Sequence, residues 1–305
     1  MKPTVKVINE RIKNEPEKFI AECEERYHSE IRSLAEEIHK GTQKIVMIAG
    51  PSGSGKTTTA HLLHRYLTEM GTVPCVISLD DFYLNRENAP LDSDGKPDFD
   101  TDHSLDIPEI NRCFSEIVKS GKSIMPIYDF ETGRRKTEGK EINIKRGGVL
   151  IVEGLHALNP LLTDVLPKEY IHKVYISVSK TIYDENGNAL LSSRQLRLMR
   201  RMSRDDIYRG TSPQKTFDMW ESVLKGERKY LYAFKPTADR IIATLHEYEP
   251  CVFKTRVMGL LSQISPDSED YAYVAKTAEG LSKFSAISED LVPANSLLRE
   301  FIHAK

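Results

Sequence analysis

The hydrophobic residues of the chain fall into two alternating patterns. Short continuous apolar runs are separated by longer segments in which apolar residues recur at helical spacing, as over 57–70 and 107–119. The runs read KIVMIA, PCVISL, GGVLIVEG, HKVYISV and DRIIAT. A continuous apolar run is typical of a strand buried on both faces, and strands that alternate with helices form parallel sheets. The pattern predicts an α/β fold with a mainly parallel sheet of five or slightly more strands.

Helical periodicity extends this alternating region at both ends. Residues 14–40 carry apolar side chains at helical spacing up to Gly41, and the pattern beyond residue 248 is mostly helical. Over about 124–145, alternating apolar and polar residues predict a β-ribbon with a basic tip. The expected units are an N-terminal helical extension over 1–40, a core over 41–247 and a C-terminal helical extension over 248–305.

A glycine-rich stretch, GPSGSGKT, follows the first predicted strand and opens the next predicted helix. It fits the pattern G-x-x-x-x-G-K-[ST], whose glycines turn backbone N–H groups toward phosphate oxygens at a helix N-terminus. Because about one chain in a hundred of this length matches by chance, we interpret the stretch as a phosphate-binding loop. Lys56 is expected to reach the β- and γ-phosphates of ATP, and the Thr57 hydroxyl to hold Mg²⁺. The residues predicted to bind ATP here are Gly50, Ser52, Gly53, Ser54, Gly55, Lys56, Thr57 and Thr58.

Two further predicted strands end in acidic residues. Asp80 and Asp81 close the second strand, so their carboxylates emerge at the carboxyl edge of the sheet, on the side of the phosphate loop. Asp80 there can accept the proton of an incoming hydroxyl group, and a turn that caps the next segment is an equal alternative. Glu153 ends GGVLIVEG in the manner of a Walker B element and is predicted to hold Mg²⁺ directly or through water.

Composition and absent motifs narrow the classes of function. The 305 residues carry 43 Lys and Arg against 45 Asp and Glu, a net charge of −2, so no overall basic field attracts nucleic acid. The chain lacks the N-K-x-D motif of GTPases and the LSGGQ-type signature of transporter ATPases. Since it has neither a long apolar stretch nor a signal-peptide core, we expect a cytoplasmic protein without a membrane span.

Six arginines crowd residues 194–209, and at helical spacing several of them share a face. Such a cluster fits a solvated surface, a nucleic-acid patch or a lid that closes on a triphosphate. In a closed, water-poor site, guanidinium groups stabilise the charge of a transferred phosphoryl group. The cluster lacks the interleaved aromatic residues that are typical of nucleic-acid binding. The pattern therefore favours a solvated surface or a lid.

The order of these motifs resembles that of the phosphoribulokinase and uridine kinase family. The matching segments are GPSGSGKTT, DDFY, Phe99-Asp100, PIYDF, VEG, RRMSRD and Arg209-Gly210, which together cover roughly residues 44–243. Within the family, MWESVLKGERKY (219–230) and VPANSLLREFI (292–302) are similar to segments of bacterial uridine kinase-like nucleoside kinases. Those relatives often carry an N-terminal TGS domain, which we do not expect in this chain.

The resemblance implies the three-layer fold of P-loop nucleotide-binding proteins and a set of roles at the acceptor. Asp80 would orient the 5′-hydroxyl of uridine or cytidine for attack on the γ-phosphate of ATP·Mg²⁺. Tyr83 and Asp100 would contact the ribose. Tyr128 and Phe130 would wall the base pocket, with a place in the core of the ribbon as the alternative for both rings.

The resemblance also implies a mobile arginine lid over about 200–213. Arg201 and Arg204 would act in catalysis, Arg204 would also contact the acceptor, and Arg209 would bind ATP. The implied partner is a small-molecule nucleoside and not a nucleic acid. The helical extensions are candidate surfaces for a homo-oligomer.

Departures from the family pattern bear on the acceptor. Where pyrimidine nucleoside kinases carry a base-reading histidine, this chain has Gly133, followed by Arg134 and Arg135. The sequence Thr-Asp-His-Ser at 101–104 replaces the family's His-Pro-Asp-Ala. A basic ribbon tip also suits an acceptor that carries a phosphate or carboxylate group, as in phosphoribulokinase-like or pantothenate kinase-like relatives. A third hypothesis is a non-catalytic regulator that binds ATP without turnover.

Overall fold

The computed structural model describes residues 3–91, 95, 98, 101–129, 131–144, 147–164 and 166–303. The helices found in these ranges are α1 (Val5–Asn14), α2 (Pro16–Lys40), α3 (Lys56–Glu69), α4 (Ile107–Ser120), α5 (Pro160–Thr163), α6 (Ser193–Arg209), α7 (Pro213–Asp218), α8 (Trp220–Tyr230), α9 (Glu249–Leu261) and α10 (Tyr271–Ser282). The strands are β1 (Ile45–Ala49), β2 (Pro74–Ser78), β3 (Lys122–Met125), β4 (Tyr128–Asp129), β5 (Arg134–Arg135), β6 (Lys140–Asn143), β7 (Val149–Glu153), β8 (Ile171–Ser177), β9 (Ile182–Tyr183), β10 (Ala189–Leu191) and β11 (Arg240–Ala243).

The central sheet, as far as the structure describes the chain, has five parallel strands in the order β11-β8-β1-β7-β2. In its centre, Met47 of β1 lies opposite Val152 of β7 on one side and Lys173 of β8 on the other. All residues of β1 and β7 are buried, because both faces of the sheet are covered. The predicted α/β fold with a mainly parallel sheet is confirmed, and each of the five apolar runs supplies one strand.

Each face of the sheet packs on its own hydrophobic cluster. Val46 and Ile48 belong to a cluster that also contains apolar residues of α1, α2, α3, α6 and α9. Met47 and Ala49, the intervening residues of β1, belong to a second cluster that also contains apolar residues of α4 and of the ribbon. The alternation follows from the two-residue period of a strand, which sends successive side chains to opposite faces. The two clusters pack against the two faces of the sheet, and the candidate site lies at its carboxyl edge.

The N-terminal helices pack into the larger cluster. Ile31 and Leu34 of α2 are fully buried, and the Tyr27 hydroxyl lies 2.7 Å from the Thr59 hydroxyl of α3. Helix α2 corresponds to the segment predicted over 14–40. Helix α1 lies within the N-terminal helical extension predicted over 1–40, but the sequence pattern did not delimit it as a separate helix. Its buried residues, Val5, Ile8 and Ile12, are few and separated by polar residues, so the sequence pattern is weak there.

A buried polar network joins this N-terminal region to the C-terminal one. The Glu24 carboxylate on α2 accepts hydrogen bonds from the Tyr248 hydroxyl and, at 2.7 Å, from the Ser296 hydroxyl. Burial opposes ionisation of Glu24, yet His246, Tyr248 and Ser296 together lower the pKa of its carboxyl below the ordinary value. Residues near both ends of the described chain are therefore tied to each other across the larger cluster.

The predicted ribbon is confirmed as two antiparallel strand pairs, β3 with β6 and β4 with β5. It begins at Lys122, two residues before the predicted bound. A further hairpin of β9 and β10 was not predicted, because strands of two and three residues are too short to show an alternating pattern.

Two of the clustered arginines on α6 are structural. Arg197 makes a bidentate ion pair with Glu227 at 2.7 and 2.9 Å. Arg200, at the start of the predicted lid, is fully buried and pairs with Glu249 at 2.6 Å. Its guanidinium also donates to the carbonyl oxygens of Thr244 and Gly53. Arg200 thus belongs to the core and not to a lid.

Arg200→Met is expected to lower the free energy of unfolding by about 3–5 kcal/mol, because it leaves the buried Glu249 carboxylate without its partner. Urea denaturation measures this loss. Arg228→Met is the matched control, since Arg228 pairs with Glu221 at 2.6 Å on the surface and such pairs contribute about 0–1 kcal/mol. Equal losses in the two variants would contradict the structural role of Arg200.

Candidate functional site

The phosphate loop connects β1 to α3. Gly53 and Gly55 have φ values of 73° and 88°, in the left-handed region that favours glycine. A Cβ atom on Gly50 would lie 2.4 Å from the carbonyl oxygen of Ile176, so a larger residue does not fit. Lys56 is the first residue of α3. The N–H groups of a first helical turn have no partner within the helix, so this backbone fits a bound phosphate group.

The loop opens on a cavity of about 210 Å³. Eleven residues that the sequence predicts for the site line it: Ser52, Gly53, Gly55, Lys56, Thr57, Asp80, Tyr83, Glu153, Arg201, Arg204 and Arg209. They come from the loop, from the carboxyl ends of β2 and β7, and from α6. The parallel sheet therefore brings residues that are far apart in sequence to one edge, as expected for ligand sites in such sheets.

Other predicted site residues lie beside the cavity or cannot be placed. Ser54 is fully buried within the loop, and the Thr58 side chain on α3 turns toward Glu300. Gly50 lies at the start of the loop, against β8. Asp100 and Phe130 lie outside the described residues.

Two carboxyl groups in the cavity have raised pKa values. Burial raises the pKa of Glu153 to about 7, Lys56 opposes this shift and Asp80 adds to it. Asp80 faces the open cavity, yet the surrounding protein displaces enough water to raise the pKa of its carboxyl. Lys56 opposes this increase, and the negative charge of Asp81 adds to it. A raised pKa makes a carboxylate a stronger base, which suits proton transfer at Asp80.

Three arginines of α6 face the cavity and share one acidic partner. Arg201 donates to the Ser52 hydroxyl at 2.8 Å. Arg201, Arg204 and Arg209 each approach the buried Asp205 carboxylate to 3.3 Å. The cavity is therefore rimmed by guanidinium groups that can contact a polyanion.

Thr57 and Glu153 line both this cavity and a second one of about 190 Å³. Both offer oxygen atoms, which are the ligands that Mg²⁺ prefers. Mg²⁺ commonly keeps several waters and takes phosphate oxygens, so one or two protein donors are sufficient. The residues present fit a magnesium ion that arrives with a triphosphate.

The ribbon side of the site is built on aromatic contacts. The rings of Tyr83 and Tyr128 meet edge to face at 5.8 Å, and Tyr128 is buried. Arg135 fixes this region, because its guanidinium donates to the carbonyl oxygens of Phe82 and Tyr83 at 2.7 and 2.9 Å and pairs with Asp106 at 2.9 Å. Arg135 therefore supports the strand end that carries Asp80 and Tyr83.

The side chain of Arg86 fills the space beside Gly133, so a residue with a side chain does not fit at position 133. The φ of Gly133 is 71°, and a Cβ atom would lie 2.6 Å from Nε of Arg86. The backbone N–H of Arg86 also donates a hydrogen bond to the Gly133 carbonyl oxygen at 2.8 Å. The guanidinium of Arg86 thus lies against the ribbon at the position where the resemblance places a histidine.

Two acidic residues that line the cavity were not predicted. Glu227 accepts a hydrogen bond from the Ser52 N–H at 2.8 Å, and the Arg197 guanidinium that it pairs with lies 5.3 Å from the Trp220 ring. Glu300 contacts Thr58. These contacts span 175 and 242 residues of sequence, so no local motif could reveal them. The only signal was that both acids lie in the segments 219–230 and 292–302.

A model of the phosphoribulokinase / uridine kinase family matches residues 45–249, which is more than half of the chain. The chain belongs to this family. It is accordingly a phosphotransferase with an alcohol group as acceptor, a kinase of a nucleoside or another small substrate. No helix within the described ranges is long and apolar enough to cross a membrane.

Among curated proteins, the chain is similar to a uridine kinase of Saccharomyces cerevisiae, with 27% identity over 210 residues that cover 68% of this chain and 38% of the yeast protein. A uridine kinase of Lactobacillus johnsonii is 25% identical over 224 residues, 72% of this chain and 96% of that protein. Among solved structures, a possible uridine kinase from Bacillus stearothermophilus has 19% identity, 70% and 96% coverage and a TM-score of 0.46.

Proposed function

We propose that this family member transfers the γ-phosphoryl group of ATP to the 5′-hydroxyl of a pyrimidine nucleoside, uridine or cytidine, and releases the nucleoside monophosphate and ADP. The observation that carries the proposal is the meeting of Lys56, Asp80 and the three α6 arginines on one cavity. The names of the curated relatives, uridine kinases at 25–27% identity, support this acceptor class.

The chain's own residues divide the work of phosphoryl transfer. The backbone of the phosphate loop and Lys56 bind the β- and γ-phosphates, while Arg201, Arg204 and Arg209 neutralise charge on the transferred group. Asp80 accepts the proton of the attacking hydroxyl as its oxygen bonds to the γ-phosphorus, and the bond from that phosphorus to the β,γ-bridging oxygen breaks. Mg²⁺, for which Thr57 and Glu153 are the proposed ligands, would neutralise phosphate oxygens when bound.

The acceptor would lie between Asp80 and the ribbon. Tyr83 lines the cavity next to Asp80, and its ring packs on Tyr128. An aromatic wall of this kind suits a ribose and a flat pyrimidine ring. Asp100 and Phe130 lie outside the described residues and stay proposed contacts of the acceptor on the strength of the family resemblance alone. Arg201, Arg204 and Arg209 over the donor phosphates would exclude water and so suppress hydrolysis of ATP.

The contact between Arg86 and Gly133 favours a second candidate. It sets a guanidinium where a base-reading side chain would lie, and guanidinium groups recognise phosphate and carboxylate groups. The alternative acceptor is therefore a small alcohol that already carries an anionic group.

ADP release from ATP·Mg²⁺ tests both candidates. The acceptors are uridine, cytidine, adenosine, guanosine, pantothenate and ribulose 5-phosphate, with a sample lacking any acceptor as the background and the product identified by mass. Release that depends on uridine or cytidine supports the proposal, and release that depends on an anionic acceptor supports the alternative. ATP binding without turnover on any acceptor would contradict both and favour the regulator.

A further inference from the structure

The C-terminal segment, residues 292–302, lies against the phosphate loop. Leu297 is fully buried, and a Cβ atom on Gly55 would lie 2.5 Å from its side chain. The carbonyl oxygen of Phe301 accepts a hydrogen bond from the Ser203 hydroxyl of α6 at 2.6 Å. The chain on both sides of Glu300 is therefore packed against the phosphate loop and α6. This segment lies beyond the 45–249 range of the family match.

The Glu300 side chain reaches from this segment into the cavity. Its carboxylate accepts a hydrogen bond from the Thr58 hydroxyl at 2.6 Å and lies 3.6 Å from the Arg204 guanidinium. Thr58 is in the first turn of α3, where the helix dipole favours a negative charge. Glu300 also lines the cavity together with Lys56 and Asp80. The Glu300 carboxylate thus contacts the Thr58 hydroxyl and the Arg204 guanidinium at the N-terminal end of α3. The same groups could bind a phosphate group equally well.

We propose that Glu300 is an internal anion that competes with a phosphate group of the donor for Thr58 and Arg204, and that nucleotide binding displaces its side chain. This inference rests on the proposed use of ATP. A carboxylate and a phosphate repel each other at the distances that a shared partner imposes. Because the neighbouring backbone is anchored, the displacement involves the Glu300 side chain alone. The C-terminal segment thereby sets the affinity of the donor site.

Glu300→Gln tests the inference, because glutamine keeps the size of the side chain and removes its charge. Isothermal titration with ATP·Mg²⁺ and with ADP, in the absence of any acceptor, is expected to show about three- to tenfold tighter binding than in the wild-type protein. Glu289→Gln is the matched control, since Glu289 pairs with Arg256 at 3.4 Å and does not line the cavity. It is expected to keep wild-type affinity.

The outcomes separate this inference from the proposed function. A wild-type protein that binds no ATP would overturn both. A wild-type protein that binds ATP, with E300Q binding equally or more weakly, would overturn the role of Glu300 alone. If E300Q does not fold, Glu300→Asp gives the decision, because the shorter side chain withdraws the carboxylate from Thr58. Tighter binding by E300D supports the inference, and unchanged or weaker binding refutes it.

Discussion

Asp80→Asn is expected to lower kcat by about 10²- to 10⁴-fold and to leave the dissociation constant of ATP nearly unchanged. The reason is that, in the proposed mechanism, Asp80 contacts the acceptor hydroxyl and not the nucleotide. The amide keeps the shape of the side chain but cannot take up a proton, so the loss falls on the transition state. The raised pKa of the Asp80 carboxyl makes its carboxylate a better proton acceptor than an ordinary aspartate, and the asparagine amide loses this property.

Single-turnover kinetics with a saturating acceptor, together with ATP titration, measure the two quantities separately. Asp81→Asn is the matched control, because Asp81 is the next residue in the chain and does not line the phosphate-loop cavity. Its Oδ1 accepts a hydrogen bond from the Tyr128 N–H at 3.3 Å, which an asparagine oxygen can still do. Near-normal turnover by the Asp80 variant would refute its role as the base.

Lys56→Ala weakens both ATP binding and catalysis. Lys56 starts α3 and lines the cavity, and its ammonium group lies 3.4 Å from the Pro51 carbonyl oxygen within the loop. In the proposed mechanism, a cation at this place interacts with the β- and γ-phosphates in the ground state and with the greater charge of the transition state. We expect a loss of about tenfold in affinity and about 10²- to 10³-fold in kcat.

The same titration and kinetic measurements apply to this variant. Lys180→Ala serves as its control, because Lys180 is exposed and lies 4.0 Å from Glu247, outside the cavity. An unchanged ATP affinity in the Lys56 variant would refute the assignment of the phosphate loop.

The sheet could be predicted because its strands are local features of the sequence. Each strand is a short apolar run, and the alternation with helices determines that the runs pair in parallel. The phosphate loop could be predicted equally well, because its glycines, its lysine and the helix that follows are contiguous in the sequence. Once the sheet is parallel, the ends of β2 and β7 must lie beside that loop, which brings Asp80 and Glu153 into range.

Side-chain direction and distant contacts could not be predicted in the same way. Arg200 and Arg201 are adjacent and chemically identical, yet one pairs with Glu249 in the core and the other with Ser52 at the cavity. Which face of α6 points inward depends on packing against α9, which no motif records. The contacts of Glu227 with Ser52 and of Glu300 with Thr58 could not be predicted either, because they join segments that are distant in sequence.

The contact between Arg197 and Trp220 gives the protein an optical property. Trp220 is the single tryptophan of the 305-residue chain and is buried. The guanidinium over its ring also donates to the Ser52 carbonyl oxygen at 3.1 Å, so the indole is one contact away from the phosphate loop. A charge that moves over an indole ring alters its electronic environment. We therefore expect the tryptophan fluorescence of the native chain to change when the phosphate loop moves.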